Sequence, residues 1–227
     1  PILKMKKTMD SLVSGDRVEI TSTDPGFPRD AAAWCNSTGN QLISKETAGG
    51  KSVVVIEKGE PKSCNIVTSC EGKGKTFIMF SDDLDKALAT FVLANGAAAT
   101  GQKVTIFFTF WGLNVIKKLH KPNVEKDIFG KMFGMMLPSS SRKLKLSKMS
   151  MGGIGGKMMR YIMNRKGIDS LESLRQQALE NGVEFIACQM SMDVMGVKQE
   201  ELLDEVTIGG VATYMERADN ANINLFI

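Results

Sequence analysis

The sequence predicts an α/β protein in two parts. The first is a small two-layer α/β sandwich over residues 1–58. The second is a doubly wound, mostly parallel five-stranded sheet over residues 75–227. Three observations carry this expectation. Residues 1–58 mix one helical period with short alternating strands. From Lys75 onward, apolar β-runs alternate with helices, the pattern of a parallel sheet covered on both faces. Between them, GEPKSCNIVTSCEGKG at 59–74 has no period and reads as a linker.

The elements follow in order. ILKMKKTMDSL puts Ile2, Leu3, Met5, Met9 and Leu12 near one helical face. SGD breaks that helix, and RVEITST alternates as a strand. DPGFP is a turn, because proline presets φ. DAAAWCNSTG reads as a second helix closed by Gly39. NQLISKE and KSVVVIE, joined by TAGG, form a hairpin. In the second part TFIMFS is an apolar strand, and SDD can cap the helix LDKALATFVLANGAAAT, which ends at Gly101. KVTIFFTF is a buried strand. After a long middle region come the helix LESLRQQALENG, the strand VEFIAC, the helix QEELLDE, the short strand VTIGG, the helix VATYMERAD and the strand INLFI.

Composition narrows the class. The 227 residues are 43% hydrophobic and 24% charged, which excludes a disordered chain and a coiled coil. No run of about 18 apolar residues is present, so no helix is expected to span a membrane. The opening PILKMKK has no apolar stretch behind it and does not read as a signal peptide. A cytoplasmic setting with reduced thiols is expected for Cys35, Cys64, Cys70 and Cys188. Zinc is not expected: CxxC is absent and His120 is the single histidine. The net charge of +4 is modest, but residues 139–167 hold eight Lys or Arg and no acid. Such a field attracts anions or a membrane surface, or is simply a solvated face. With two Trp and two Tyr the chain lacks a stacking surface, and no nucleic-acid partner is expected.

Two glycine-rich stretches fail as phosphate loops. EGKGKT has Ser69 where that motif needs glycine, and it precedes a strand instead of following one. MGGIGGK, from Met151 to Lys157, has neither dinucleotide nor phosphate-loop spacing and reads as a flexible loop. His120, in KKLHKP, reads as exposed.

Cys188 stands apart because of its place. It ends a predicted parallel strand, and open α/β sheets bind ligands at the carboxyl ends of their strands. Ser191 is a candidate cap for a helix just beyond, whose free N–H groups would favour a thiolate; Asp193 would oppose it. The alternative is a packed small hydrophobe. Methionines crowd the neighbourhood: Met132, Met135, Met136, Met149, Met151, Met158, Met159 and Met163, then Met190, Met192 and Met195. They suit core and subunit packing, a soft lid over a sulfur site, or a docking surface.

Two resemblances bear on these alternatives. PILKMKKTMDSL, RVEITSTDPG with the helix at Asp30, and AWCNSTGN resemble the TusA/SirA family of small sulfur carriers. KTFIMFSDDLDKALATFVLANGAAATG, the strand end FTFWGLNV, the Met-rich middle and ACQMSMDVMG resemble the DsrE/DsrF-like family, in its DsrE2 branch. Together they cover nearly the whole chain except the linker. The resemblance implies sulfur trafficking: a cysteine persulfide carrier, or sulfurtransferase, with Cys188 as the sulfur acceptor. It implies donor and acceptor partners, either proteins or low-molecular-weight persulfides, and a homo-oligomer. Cys64 and Cys70 are candidates for a sulfur relay, Lys157 and Arg160 for stabilising an anionic persulfide, and Cys35 for packing beside Trp34.

The chain departs from the TusA pattern at its start. The family's carrier cysteine lies in a CPxP motif, and Pro1 matches the motif's last proline. The carrier cysteine and first strand are therefore expected upstream, in a longer protein. The arrangement resembles the C-terminal part of a multidomain CoA-disulfide reductase/rhodanese-type protein. The upstream partners would then be a rhodanese domain and a flavin- and pyridine-nucleotide-dependent reductase. No cofactor is expected in these residues themselves. The rival reading is a non-catalytic module whose Met-rich basic segment, 132–166, docks a partner protein or an anionic membrane, with Cys188 as core.

Overall fold

The computed structural model describes residues 2–23, 27–59, 74–120, 122, 124 and 128–227. They form two compact units. The first contains α1 (Ile2–Asp10), β1 (Arg17–Ser22), α2 (Phe27–Thr38), β2 (Gln41–Ala48) and β3 (Lys51–Glu57). Its strands make an antiparallel sheet in the order β1-β3-β2. Strand β3 alternates, burying Ser52, Val54 and Ile56 on one face. Val54 and Ile56 pack with Met5 and Met9, one helical turn apart on α1, and with Phe27, Ala31, Trp34 and Cys35 of α2. The hairpin pairs Ala48 with Lys51 around Gly49 and Gly50. Their φ values of 58° and 74° are the left-handed pair that a two-residue hairpin turn with right-handed strand twist demands.

The second unit is built on five parallel strands in the order β7-β6-β5-β4-β8. They are β4 (Gly74–Met79), β5 (Val104–Phe108), β6 (Glu184–Cys188), β7 (Thr207–Gly209) and β8 (Ala221–Phe226). Strand β4 thus begins at the last residue assigned to the linker; residues 60–73 lie outside the described residues. Helices α3 (Leu84–Ala99) and α6 (Leu171–Glu180) cover one face. There Phe77, Ile106, Phe108 and Phe185 meet Leu84, Phe91, Leu171 and Leu174 in the main core. Helix α8 (Val211–Asp219) covers the other face, where Tyr214 and Ala218 pack with Ile78, Phe107, Ile186 and Cys188. Every residue of β5 is buried, as both-sided cover requires of a central parallel strand.

The middle region contributes further helices. A 3-10 helix spans Phe110–Ile116, followed by α4 (Ile128–Met136) and α5 (Ile154–Arg165). MGGIGGK is no loop throughout. It makes a short 3-10 turn, Met151–Gly153, and then the first turn of α5. QEELLDE shrinks to the 3-10 turn Gln199–Glu201. Leu202 leaves it to bridge Lys117 and bury itself in the core, which a continued helix would not allow.

Candidate functional site

The strand register lines up the carboxyl edge of the parallel sheet. Met79 pairs with Phe108, Phe108 with Ala187, Ala187 with Ile208 and Cys188 with Gly209. Cys188 is therefore the last residue of β6, and the chain turns at once into α7 (Gln189–Met195). Its side chain points to the α8 face and is 2% exposed, beside Phe107, Ile186 and Tyr214. The placement follows from alternation: Ile186 and Cys188 share one face, while Phe185 and Ala187 enter the main core.

Ser191 does not cap the helix. Cys188 holds the N-cap position and makes no side-chain capping bond. Ser191 sits a turn inside, fully buried, sharing a 2.8 Å hydrogen bond with the Thr109 hydroxyl at the end of β5. This bond ties α7 to the neighbouring strand end. The Asp193 carboxylate accepts a bond from Gln189 Nε2 at 2.9 Å. Below, α8 is clamped across the sheet by Arg217, whose Nε and Nη2 donate to the Glu184 carboxylate at 2.9 and 3.2 Å. Hydrogen bonding from Arg217 holds the Glu184 carboxyl below the usual range. The Tyr214 hydroxyl lies 3.2 Å from Thr76 Oγ1, which fixes the ring packed with Phe107 and Cys188.

Arg160 Nη1 donates to Glu172 Oε2 and Nη2 to the Ser141 carbonyl, both at 2.9 Å. Burial pulls the Glu172 carboxyl up, but Arg160, a backbone N–H and Ser141 together hold it below its ordinary value. Lys157 is exposed on α5. No hydrogen bond links either basic residue to Cys188 among the described residues. Cys64 and Cys70 lie outside the described residues. Cys35 is buried in the core of the first unit, and burial pushes its thiol up to about 11. That environment fits packing. Among the described residues no group of three His, Cys, Asp or Glu side chains is gathered for a metal.

Two features of this edge escaped the sequence reading. Phe80, Phe110, Trp111 and Phe226 form a ring cluster with centroids 5.4 to 5.8 Å apart. It sits where β4 and β8 adjoin, the point at which the chain's direction of winding reverses and doubly wound sheets usually open a crevice. FTFWG and INLFI carried the signal, as aromatics at strand ends. The second feature is Asp82, just beyond β4, which accepts a 2.9 Å bond from Asn114 Nδ2. Burial, only partly offset by that bond, pushes the Asp82 carboxyl above its ordinary value. Asn114 is fully buried, and its Oδ1 has no hydrogen-bond partner among the described residues.

The fold and site define a two-unit α/β protein with a buried thiol at the carboxyl edge of a parallel sheet. Residues 72–226 match the DsrE/DsrF/DrsH-like family, and the chain belongs to that family. Residues 1–58 match the family of the sulfurtransferase TusA. Among similar proteins is the uncharacterized YrkE of Bacillus subtilis, 44% identical over 155 residues, which are 68% of this chain and 97% of that protein. The sulfur carrier protein DsrE2 of Allochromatium vinosum is 38% identical over 161 residues, 69% of this chain and 99% of that protein. The sulfur carrier protein TusA of the same organism is 40% identical over 58 residues, 26% of this chain and 76% of that protein.

Proposed function

We propose that this protein traffics sulfur, carrying it as a persulfide on Cys188. The observation behind this is the position of Cys188 at the carboxyl end of β6, in a chain whose two parts match two sulfur-carrier families. In the proposed step the Cys188 thiolate attacks the outer sulfur of a donor persulfide. A new S–S bond forms to Cys188, and the donor's own S–S bond breaks. The donor departs as a thiolate and takes up a proton. The outer sulfur keeps its oxidation level, so no reductant or oxidant is consumed. Delivery to an acceptor thiol is the same exchange in the other direction. The donor and acceptor are proteins or small persulfides, in a cytoplasm where thiols stay reduced, and the carrier works as a homo-oligomer. Arg160 is held by Glu172 and Ser141, and Lys157 stands on the outside of α5.

Intact mass after treatment with a low-molecular-weight persulfide tests the reading. The parent protein should gain one sulfur that peptide mapping places on Cys188 and that reductant removes. Cys188→Ser should gain none there, while Cys35→Ser should behave like the parent. Equal labelling of parent and Cys188→Ser would sink the assignment.

A further inference from the structure

We propose that the outer face of α5, with the turn before it, docks on an anionic lipid surface. On α5 the residues Ile154, Met158, Tyr161 and Ile162 fall on one side, at i, i+4, i+7 and i+8. That side faces outward: Ile154 and Tyr161 are each 65% exposed. The buried side carries Gly155, Gly156 and Met163. A helix at a protein surface normally does the reverse. Lys157 and Arg165 lie on the same outward side, exposed, so the face is both apolar and cationic.

The preceding turn extends the face. A Cβ on Gly155 would come within 2.1 Å of the Met149 carbonyl oxygen, so the start of α5 rests directly on that backbone. Met149 and Met151 have φ of 58° and 42°, a region costly to residues with a side chain. Both are about two-thirds exposed, at 69% and 66%. The strained turn therefore sends two long apolar side chains into solvent, not into the core.

Charge selects the occupant. Residues 139–167 carry eight Lys or Arg and no acid, and of these Arg160 turns inward to Glu172. A second copy seated symmetrically on the same face would set these cations against each other. An anionic surface meets them favourably. The apolar side chains protrude instead of lining a groove. A folded partner would need a matching pocket for each, whereas the boundary of a bilayer yields to them. Lysines beside them keep their ammonium groups at the headgroups while their stems lie along the apolar layer. The inference is independent of the sulfur-carrier reading.

Co-sedimentation of the full chain with vesicles tests it. The protein should pellet with phosphatidylcholine mixed with phosphatidylglycerol and stay in solution with phosphatidylcholine alone. High salt should release it, because screening shortens the reach of exposed charges. The triple variants Lys145→Glu/Lys148→Glu/Lys157→Glu and Ile154→Ser/Met158→Ser/Tyr161→Ser should each bind about a hundredfold more weakly, with unchanged thermal unfolding. Cys188→Ser should bind like the parent. No pelleting with the mixed vesicles, or equal pelleting with both kinds, overturns the proposal. So does a serine variant that breaks a larger species into a smaller one on size exclusion, because the face then joins copies of the chain. Binding to poly-glutamate as tight as to mixed vesicles, and unmoved by the serine variant, would assign the face to an acidic protein instead.

Discussion

The two units treat a buried thiol differently. In the first, Cys35 sits within a helix and faces a small antiparallel core, and burial pushes its thiol up to about 11. In the second, Cys188 ends a strand, where a parallel sheet runs out and the backbone turns into α7. Both are at most 2% exposed. Burial alone therefore does not tell the two thiols apart; their place relative to the sheet's open edge does. The sheets differ in the same sense. Strand β1 is half in solvent, whereas β5 is sealed throughout. The first sheet is held by one apolar layer, and the second frames an edge.

The comparison can be strained at several points. The largest effect is expected in the sealed layer. Phe91 is fully buried with Phe108 and Phe185 at centroid distances of 6.4 and 5.7 Å, and Phe91→Ala should cost about 3–5 kcal/mol in urea unfolding. A loss under about 1 kcal/mol would mean that the face is not packed as described. Next comes thiol chemistry. With its thiol near 11, Cys35 should alkylate about a hundredfold more slowly at pH 8 than an unperturbed cysteine, even before burial blocks access. Unfolding should restore the ordinary rate. Rapid native alkylation of Cys35 would remove the contrast.

A pH effect sharpens the description of the sheet's edge. The Asp82 carboxyl is raised by burial, so the folded state holds its proton more tightly than the unfolded chain does. Its contribution to stability is fully present below the unfolded value and is lost as pH rises through the folded one. Asp82→Asn removes that loss. An amide there can also donate to the orphaned Oδ1 of Asn114 while still accepting from its Nδ2. The variant should melt higher than the parent at pH 8, and the gap should close as the solution is acidified. A gap that does not vary with pH would disprove this account. The smallest effect belongs to the open sheet of the first unit. Arg17 pairs with Glu57 across β1 and β3 at 2.7 Å, but its side chain is 64% exposed. Arg17→Ala should cost under about 1 kcal/mol.

Much of this fold was legible because burial leaves a period. VEFIAC and KVTIFFTF read as buried strands and are β6 and β5; SVVVIE alternates and is β3. The position of Cys188 followed from strand order alone. Other features rest on partners far away in sequence. Ser191 looked like a cap because serine often is one, yet Thr109, 82 residues earlier, claims its hydroxyl. Asn114 and Asp82 meet only because β4 and β5 are neighbours. MGGIGGK looked like a loop because it is glycine-rich and fits no phosphate-binding spacing, but two of its glycines let α5 press against backbone. Arg160 reads from sequence as a free cation, yet it pairs with Glu172, 12 residues later. Local pattern specifies elements; tertiary pairing decides which polar groups remain available.

The burial of Cys188 also sets a clock. A sulfur only 2% exposed, packed against Phe107, Ile186 and Tyr214, can meet another molecule only when its surroundings open. Its exchange rate is then the intrinsic rate multiplied by the fraction of time spent open. Thiol reagents of increasing size would slow in steps, not in proportion to their reactivity. On the proposed role, such a site would work as a valve with a duty cycle, and whatever widens the opening would set the throughput.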